Sequence, residues 1–162
     1  MSNIFIRPYQ DTDRLFLWEM LYQAIFVPAN ESPPSREILM HPSIHKYLKN
    51  WPVLNDRALI AVDGHFWGGA IWMRRFNRDN AGYGFVNDAT PEISMALLPQ
   101  YRSQGIGRRL LTQLADEARA SGCPALSLSV DVRNAVALHL YETSGFRKVQ
   151  DNKFSWTMIK VL

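Results

Sequence analysis

The sequence predicts an α/β (α+β) domain with strands and helices interspersed along one sheet. Three features carry that expectation. The last part of the chain reads strand, helix, strand, helix, strand. A glycine-rich turn leads directly into a strongly amphipathic helix. Further upstream, two apolar runs flank an Asp-Gly pair, the signature of a hairpin. At 162 residues the chain suits a single domain, 1–162, that buries its own core.

The elements follow in order. Ile4 to Arg7 read as a short strand closed by Pro8. Asp11 is a candidate cap for a helix in which Leu15, Trp18, Leu21, Tyr22 and Ile25 recur at helical spacing. "VPANESPP" breaks the chain, Ser35 caps a second helical stretch toward Leu39, and Pro42 interrupts it before a short helix in "HKYLKNWP". Arg57 to Val62 and His65 to Phe76 form a hairpin around a primed turn at Asp63 and Gly64. "NRDNAGYG" is a loop, and Glu92 to Leu98 a strand stopped by Pro99. After the glycines, Leu110, Leu111, Leu114, Ala115 and Ala118 form one apolar stripe, and Gly122 stands where a left-handed cap ends a helix. Ala125 to Val130 alternate as a strand, Asn134 caps a helix from Ala135 to Ser144, and Gly145 closes it. Phe146 to Val149 and Phe154 to Val161 finish as strands around "QDNK".

Composition narrows the partners. The net charge of +3 (18 basic, 15 acidic) mildly favours anions, but no Lys/Arg block points to nucleic acid. No apolar run approaches the roughly 20 residues of a membrane span. "MSNIFIRPYQDTD" turns polar too soon for a secretory signal, so a cytoplasmic protein is expected. Cys123 is the one cysteine, which excludes an internal disulfide; with no His nearby in sequence it reads as a small buried residue. His41 and His45 are four apart with Pro42 between them and no His-Glu-x-x-His pattern, so no metal is expected.

"YRSQGIGRRLL", Tyr101 to Leu111, reads as an anion site. Gly105 and Gly107 let backbone amides approach a phosphate, the first helical turn supplies unpaired N–H groups, and Arg102, Arg108 and Arg109 add charge. A nucleotide P-loop is excluded because Arg108, not Lys-Ser/Thr, follows Gly107. A dinucleotide fingerprint fails at Leu110, where a small residue belongs. A tight turn with solvated arginines is the plainer alternative.

The segment Pro91 to Val149 resembles the GCN5-related N-acetyltransferase (GNAT) superfamily. Its Arg/Gln-x-x-Gly-x-Gly/Ala signature is matched by Arg102-Ser103-Gln104-Gly105-Ile106-Gly107. Its Asn-opened helix ending in Leu-Tyr-Glu-x-x-Gly-Phe is matched by Asn134 and by Leu140 to Phe146. The N-terminal half agrees in element order rather than in motif. The resemblance implies a mixed, mostly antiparallel sheet, splayed at its middle and flanked by helices on both faces. Acetyl-CoA would lie in the splay, its pantetheine pairing with the backbone of Met95, Ala96 and Leu97 and its pyrophosphate on the amides of Ser103, Gln104, Gly105, Ile106, Gly107 and Arg108. Asn134 would reach the pantetheine or adenosine side, and the anion at the glycines would be the coenzyme's pyrophosphate.

The implied activity is N-acetyltransfer to a primary amine by direct attack in a ternary complex. The alternatives are a catalytically silent CoA-binding sensor of the same fold and a nucleotide-binding regulatory protein. By resemblance Tyr141 is the acid beside the leaving thiolate; from the residues alone it is a packed aromatic on a helix. Glu92 stands where many relatives carry a carboxylate that acts through water; alone it reads as an exposed strand-end carboxylate. Some relatives carry a base near Ser129 instead, but serine is a poor base. An amide at Leu97 or a neighbour would polarise the thioester carbonyl. Phe26, Tyr83 and Phe85 are expected in the acceptor groove and Asp88 beside a cationic amine. The acceptor is left open among polyamines, amino acids, aminoglycoside-like antibiotics and protein amines, and homodimers are common among relatives.

Overall fold

The computed structural model describes residues 3–162. Seven strands form one sheet: β1 (Ile4–Pro8), β2 (Arg57–Asp63), β3 (Phe66–Arg74), β4 (Glu92–Leu97), β5 (Ala125–Asp131), β6 (Arg147–Asp151) and β7 (Ser155–Val161). The helices are α1 (Arg14–Gln23), a single turn α2 (Pro42–His45), α3 (Ile106–Ala120) and α4 (Ala135–Thr143). Strand order is β1-β2-β3-β4-β5-β7-β6. Every neighbouring pair is antiparallel except β4 and β5, which run parallel and register at one position, Glu92 opposite Ser127.

Side chains alternate across the sheet and build two cores. On one face, the α3 stripe of Ile106, Leu110, Leu111, Leu114, Ala115 and Ala118 covers Leu59, Ile71, Met73, Ile93, Leu126 and Leu128. On the other, Phe16, Leu17, Met20 and Leu21 of α1 join Tyr47, Leu48 and Trp51 over Ile60, Ala70, Trp72 and Ala96. Cys123 is buried at the edge of the first core. Among the described residues no helix is long and apolar enough to cross a membrane.

Most boundaries fall within two residues of expectation, with three informative differences. The buried face of α1 is Phe16, Leu17, Met20 and Leu21; Leu15 is 82% exposed and Ile25 lies past the helix end. "RLFLWEMLYQ" has apolar residues on every side, so its spacing does not select a face. Asp11–Asp13 form a 3₁₀ turn before α1, and Asp13 is buried, accepting from Arg7 (2.7 and 2.9 Å), Gln10 N (2.8 Å) and Trp67 Nε1 (2.9 Å). In the hairpin, Asp63 still pairs with Phe66, so Gly64 (φ 61°) and His65 are the turn residues, one step on from expectation.

The segment between β3 and β4 crosses β5 at Gly84. A Cβ there would stand 2.5 Å from the Leu128 carbonyl carbon and 2.7 Å from the Ser129 nitrogen. Only glycine permits this contact, and the obstacle is backbone. Gly84→Ala is therefore expected to lower unfolding free energy by about 1–3 kcal/mol in urea titration. Wild-type stability in the variant would mean the loop does not rest on β5.

Candidate active site

The gap between β4 and β5 follows from their single pairing. Ser127 N donates to Pro91 O (2.9 Å) at the narrow end, and the strands diverge toward Leu97 and Asp131. Hydrogen-bonding direction alternates along an antiparallel strand. Leu98 N donates to Gly68 O (2.9 Å), so Ala96 and Ser94 also turn their amides to β3. Ile93, Met95 and Leu97 then direct theirs into the gap, on the side of Pro91. Of the three residues expected to pair with a ligand, Ala96 is thus committed to β3. The Leu97 carbonyl accepts from Arg102 Nε (3.1 Å). Ile93 flanks the paired position at Glu92 and Ser127, and beyond it the groups open to the gap are the Met95 amide and carbonyl and the Leu97 amide.

The glycine turn stands at the wide end. Ser103 (φ 61°) and Gly105 (φ 80°) are left-handed, and Gly105 is the N-cap of α3. The first helical hydrogen bond runs from Arg109 N to Gly105 O (3.2 Å). Among the described residues no partner meets the amides of Ser103, Gly105, Ile106, Gly107 or Arg108, and nothing lies within 4 Å of a Cβ built at Gly105. This is a cluster of convergent donors reinforced by the helix dipole. Gly107 faces inward, toward Leu140 of α4 and Met95 and Leu97 of β4. Gln104 bonds Gln100 O through its side chain (2.9 Å).

The three arginines expected to add charge at the turn each bond the protein itself, Arg109 through Nη2 to Ile4 O (3.0 Å). Arg102 reaches the Leu97 carbonyl and Gln23 Oε1 (3.4 Å). Arg108 bonds Thr143 Oγ1 (2.8 Å) and Ser144 Oγ (3.2 Å), tying α3 to the end of α4. Asn134 caps α4, its Oδ1 accepting from Ala137 N (3.2 Å). Tyr141 is half-buried, edge-on to Phe146 at 5.8 Å, and its hydroxyl meets no hydrogen-bond partner among the described residues. Burial pushes that phenol up to about 12, so it is a protonated donor at neutral pH.

Glu92 is not an exposed strand-end carboxylate: it is 3% exposed. Tyr47 donates to its Oε2 at 2.5 Å and accepts from Tyr83 N (2.8 Å). The Gly84 amide is near enough to favour the ionised form, although Oε1 has no hydrogen bond of full geometry. Gly82 lies against Glu92 Oε1 and Tyr47 Oη, where any side chain would collide. Burial dominates these contacts and raises the carboxyl to about 7. Sequence reasoning missed Tyr47, Gly82 and Gly84 as parts of this site. The paired glycines in "GYGF" were the one available signal, since strand-contacting glycines mark close backbone approach.

The three residues expected to line the acceptor groove, and Asp88 expected beside the amine, fall in three separate places. Phe26 sits under the Arg133 guanidinium (5.8 Å), just past the wide end of β5. Tyr83 is exposed, its hydroxyl donating to Ser43 Oγ (3.0 Å). Phe85 and Asp88 line a groove of about 760 Å³ with Pro124, Ala125 and Val161, beyond the narrow end. His41 caps α2 through Nδ1, and His45 lies tilted against Trp18 at 5.0 Å.

Comparison with known proteins gives a family and a fold. Residues 18–146 match the family described as acetyltransferase (GNAT). Over 63 residues the chain is 41% identical to the ribosomal protein bS18-alanine N-acetyltransferase of Escherichia coli K12. That match spans 39% of this chain and 43% of the relative, less than half of either. A Salmonella typhimurium protein solved with its cofactor acetyl-CoA superposes with a TM-score of 0.72 at 22% identity, covering 99% of this chain and 95% of that one. The PaiA N-acetyltransferase of Thermoplasma acidophilum, solved with coenzyme A, gives 0.68 at 21% identity and 99% of each chain. At these identities the solved structures establish the fold.

The Glu92 environment has a thermodynamic consequence. A carboxyl raised from 4.5 to about 7 holds its proton in the folded state after the unfolded chain has lost it. Its contribution is fully present below about pH 4.5, declines as pH rises, and is gone above about pH 7. The change is on the order of 3 kcal/mol. In urea titrations from pH 4 to 8, the stability of wild type relative to Glu92→Gln is expected to fall across that window and then level off. A difference independent of pH would contradict this placement of the carboxyl.

Proposed function

The chain belongs to the acetyltransferase (GNAT) family, and we propose that it is an acetyl-CoA-dependent N-acetyltransferase acting on a primary amine by direct transfer in a ternary complex. The observation that carries this reading is the splay of β4 from β5. It leaves the Met95 amide and carbonyl unpaired in line with the open amides of the glycine turn. An extended chain with amide groups, ending in a pyrophosphate, satisfies both sets at once: strand-like pairing at Met95 and anion binding at the α3 N-terminus. The name of the relative, an alanine N-acetyltransferase, supports an amine as acceptor.

Acetyl-CoA supplies an activated thioester. Met95 holds the extended arm, and the amides of Ser103 and Gly105 to Arg108 hold the pyrophosphate. The Leu97 amide, directed into the gap, polarises the carbonyl under attack. As the amine forms the new C–N bond and the C–S bond breaks, Tyr141 gives its hydroxyl proton to the sulfur. Its hydroxyl has no other partner among the described residues, and its raised pKa keeps the proton on the phenol until the thiolate forms. Glu92 takes up the proton the amine must lose. It is sealed from solvent, so that proton arrives by relay rather than by direct contact.

Acetyl-CoA at a hundredfold excess over its Kd is expected to stabilise the protein by about 2.7 kcal/mol. Gly105→Asn tolerates the left-handed backbone but fills the open approach. It should fold normally and bind acetyl-CoA at least tenfold more weakly by calorimetry. Unchanged affinity would move the pyrophosphate elsewhere. Turnover is tested by thiol release over a panel of spermidine, L-amino acids, and peptides with a free N-terminal alanine or a lysine. Binding without release on any of them would favour the silent CoA-binding module. With an accepted amine, Tyr141→Phe should lower kcat by about 10²-fold while acetyl-CoA affinity stays near wild type. A near-normal kcat would return Tyr141 to the role of a packed aromatic.

A further inference from the structure

Glu92 is enclosed by groups drawn from four parts of the chain. From the segment after α2 come Tyr47, which donates to Oε2, and Lys46, whose Nζ is held by Ala81 O (2.7 Å). From the loop before β4 come the Tyr83 and Gly84 backbone and the bare Cα of Gly82. Across β3, Arg74 stands opposite Glu92, but its charge is committed to Asp56 (2.7 Å) and to the carbonyls of Lys46 and Lys49 (2.8 and 2.9 Å). Across β5, Ser127 is fully buried with its hydroxyl unpartnered. Lys46 is therefore the one cation here not already ion-paired that favours the carboxylate, and Tyr47 is its one full hydrogen-bond donor.

The direction of that bond is set by the fold. The Tyr83 amide donates into the Tyr47 oxygen, so the phenolic proton is left to point at Glu92. The ring is fixed edge-on to Phe76 at 5.1 Å, and Tyr47 is 6% exposed. Gly82 allows the loop to close without displacing either oxygen. A strand-end plug with no part in chemistry would need none of this; an apolar side chain of similar volume fills such a site at lower desolvation cost.

We propose that Tyr47 is a positioning residue of the transfer reaction, which aims the Glu92 carboxylate at the narrow end of the β4–β5 gap and keeps it ionisable there. This rests on Glu92 being the proton acceptor of the reaction. A phenol that donates to the ionised form opposes the effect of burial. Without it the carboxyl titrates higher, and a larger share of the enzyme is in the unproductive protonated form at neutral pH.

The test is a comparison of pH profiles of kcat/KM for the fastest amine of the panel, in wild type, Tyr47→Phe, Glu92→Gln and the double variant. It is paired with a ¹³C NMR titration of the Glu92 carboxyl carbon. Wild type should show an acid limb centred near pH 7. Tyr47→Phe should move both that limb and the NMR midpoint up by about one pH unit or more, a tenfold loss of rate on the acid side that recovers in alkali. Glu92→Gln should lack the limb, and adding Tyr47→Phe to it should not restore one. Should Tyr47→Phe fail to fold, Glu92→Asp withdraws the carboxylate from the same hydroxyl and should shift its own limb upward. A limb that stays in place in Tyr47→Phe, with the rate lowered equally at every pH, would overturn the role of Tyr47 alone. A wild-type profile in Glu92→Gln would overturn the underlying assignment of the base.

Discussion

The hydrogen bond from Ser127 N to Pro91 O marks where the two halves of the sheet meet. It belongs to the only parallel pairing in the sheet and registers β4 against β5 at a single position. On one side β1 to β4 form an antiparallel meander; on the other β5, β7 and β6 form a second unit. Were the parallel pairing continued, Met95 and Leu97 would spend their backbone groups on β5. Because it stops, those groups line an opening whose depth is set by where it stopped. Unsatisfied backbone groups inside a protein are uncommon, and a row of them beside a sheet break calls for an extended partner.

The packing on each face keeps that opening from collapsing. On the α3 side, Leu110, Leu111 and Leu114 are almost wholly buried over β2, β3 and β5, so the helix spans both halves of the sheet. Its N-terminus is consequently fixed at the wide end of the gap, with Gly107 close against Leu140, Met95 and Leu97. Arg102 and Arg108 contribute by anchoring the turn to β4 and to α4. Their hydrogen bonds hold the amide donors in place, and their charges add to the local field.

The opposite face is organised by buried ions. Asp56 and Arg74 pair at 2.7 Å with both side chains almost fully covered, and Arg74 also takes the carbonyls of Lys46 and Lys49. A buried pair of this kind adds little net stability but penalises any arrangement that leaves one partner alone. It pins the segment after α2 to β3, and that segment delivers Tyr47 to Glu92. Asp13, satisfied by Arg7, Gln10 and Trp67, does the same for the start of α1. The carboxylate of Glu92 is buried with no arginine bonded to it. Burial raises its proton affinity, while the pKa of Asp13, held by Arg7 against its own desolvation, is lowered.

Local chemistry was readable from the residues. The glycine turn, the α3 stripe and the Asn134 cap follow from dihedral preferences and from hydrophobic periods of two and 3.6, which neighbouring residues express together, whereas the mixed sheet was implied by the family resemblance. The family resemblance came from the same stretch, and it named Tyr141, Glu92 and the Gly105 turn as candidate site residues. Three matters depended on tertiary structure. Which edge of β4 carries Met95 is set by pairing with β3, since strand residues alternate in both directions and sequence does not say which neighbour lies where. The buried face of α1 was undecided because the helix is apolar all round. Tyr47 lies 45 residues from Glu92, and no period or cap links them. Their contact exists because Arg74 holds one segment down and Gly82 and Gly84 let another close over it, and such long-range approaches are decided by packing rather than by propensity.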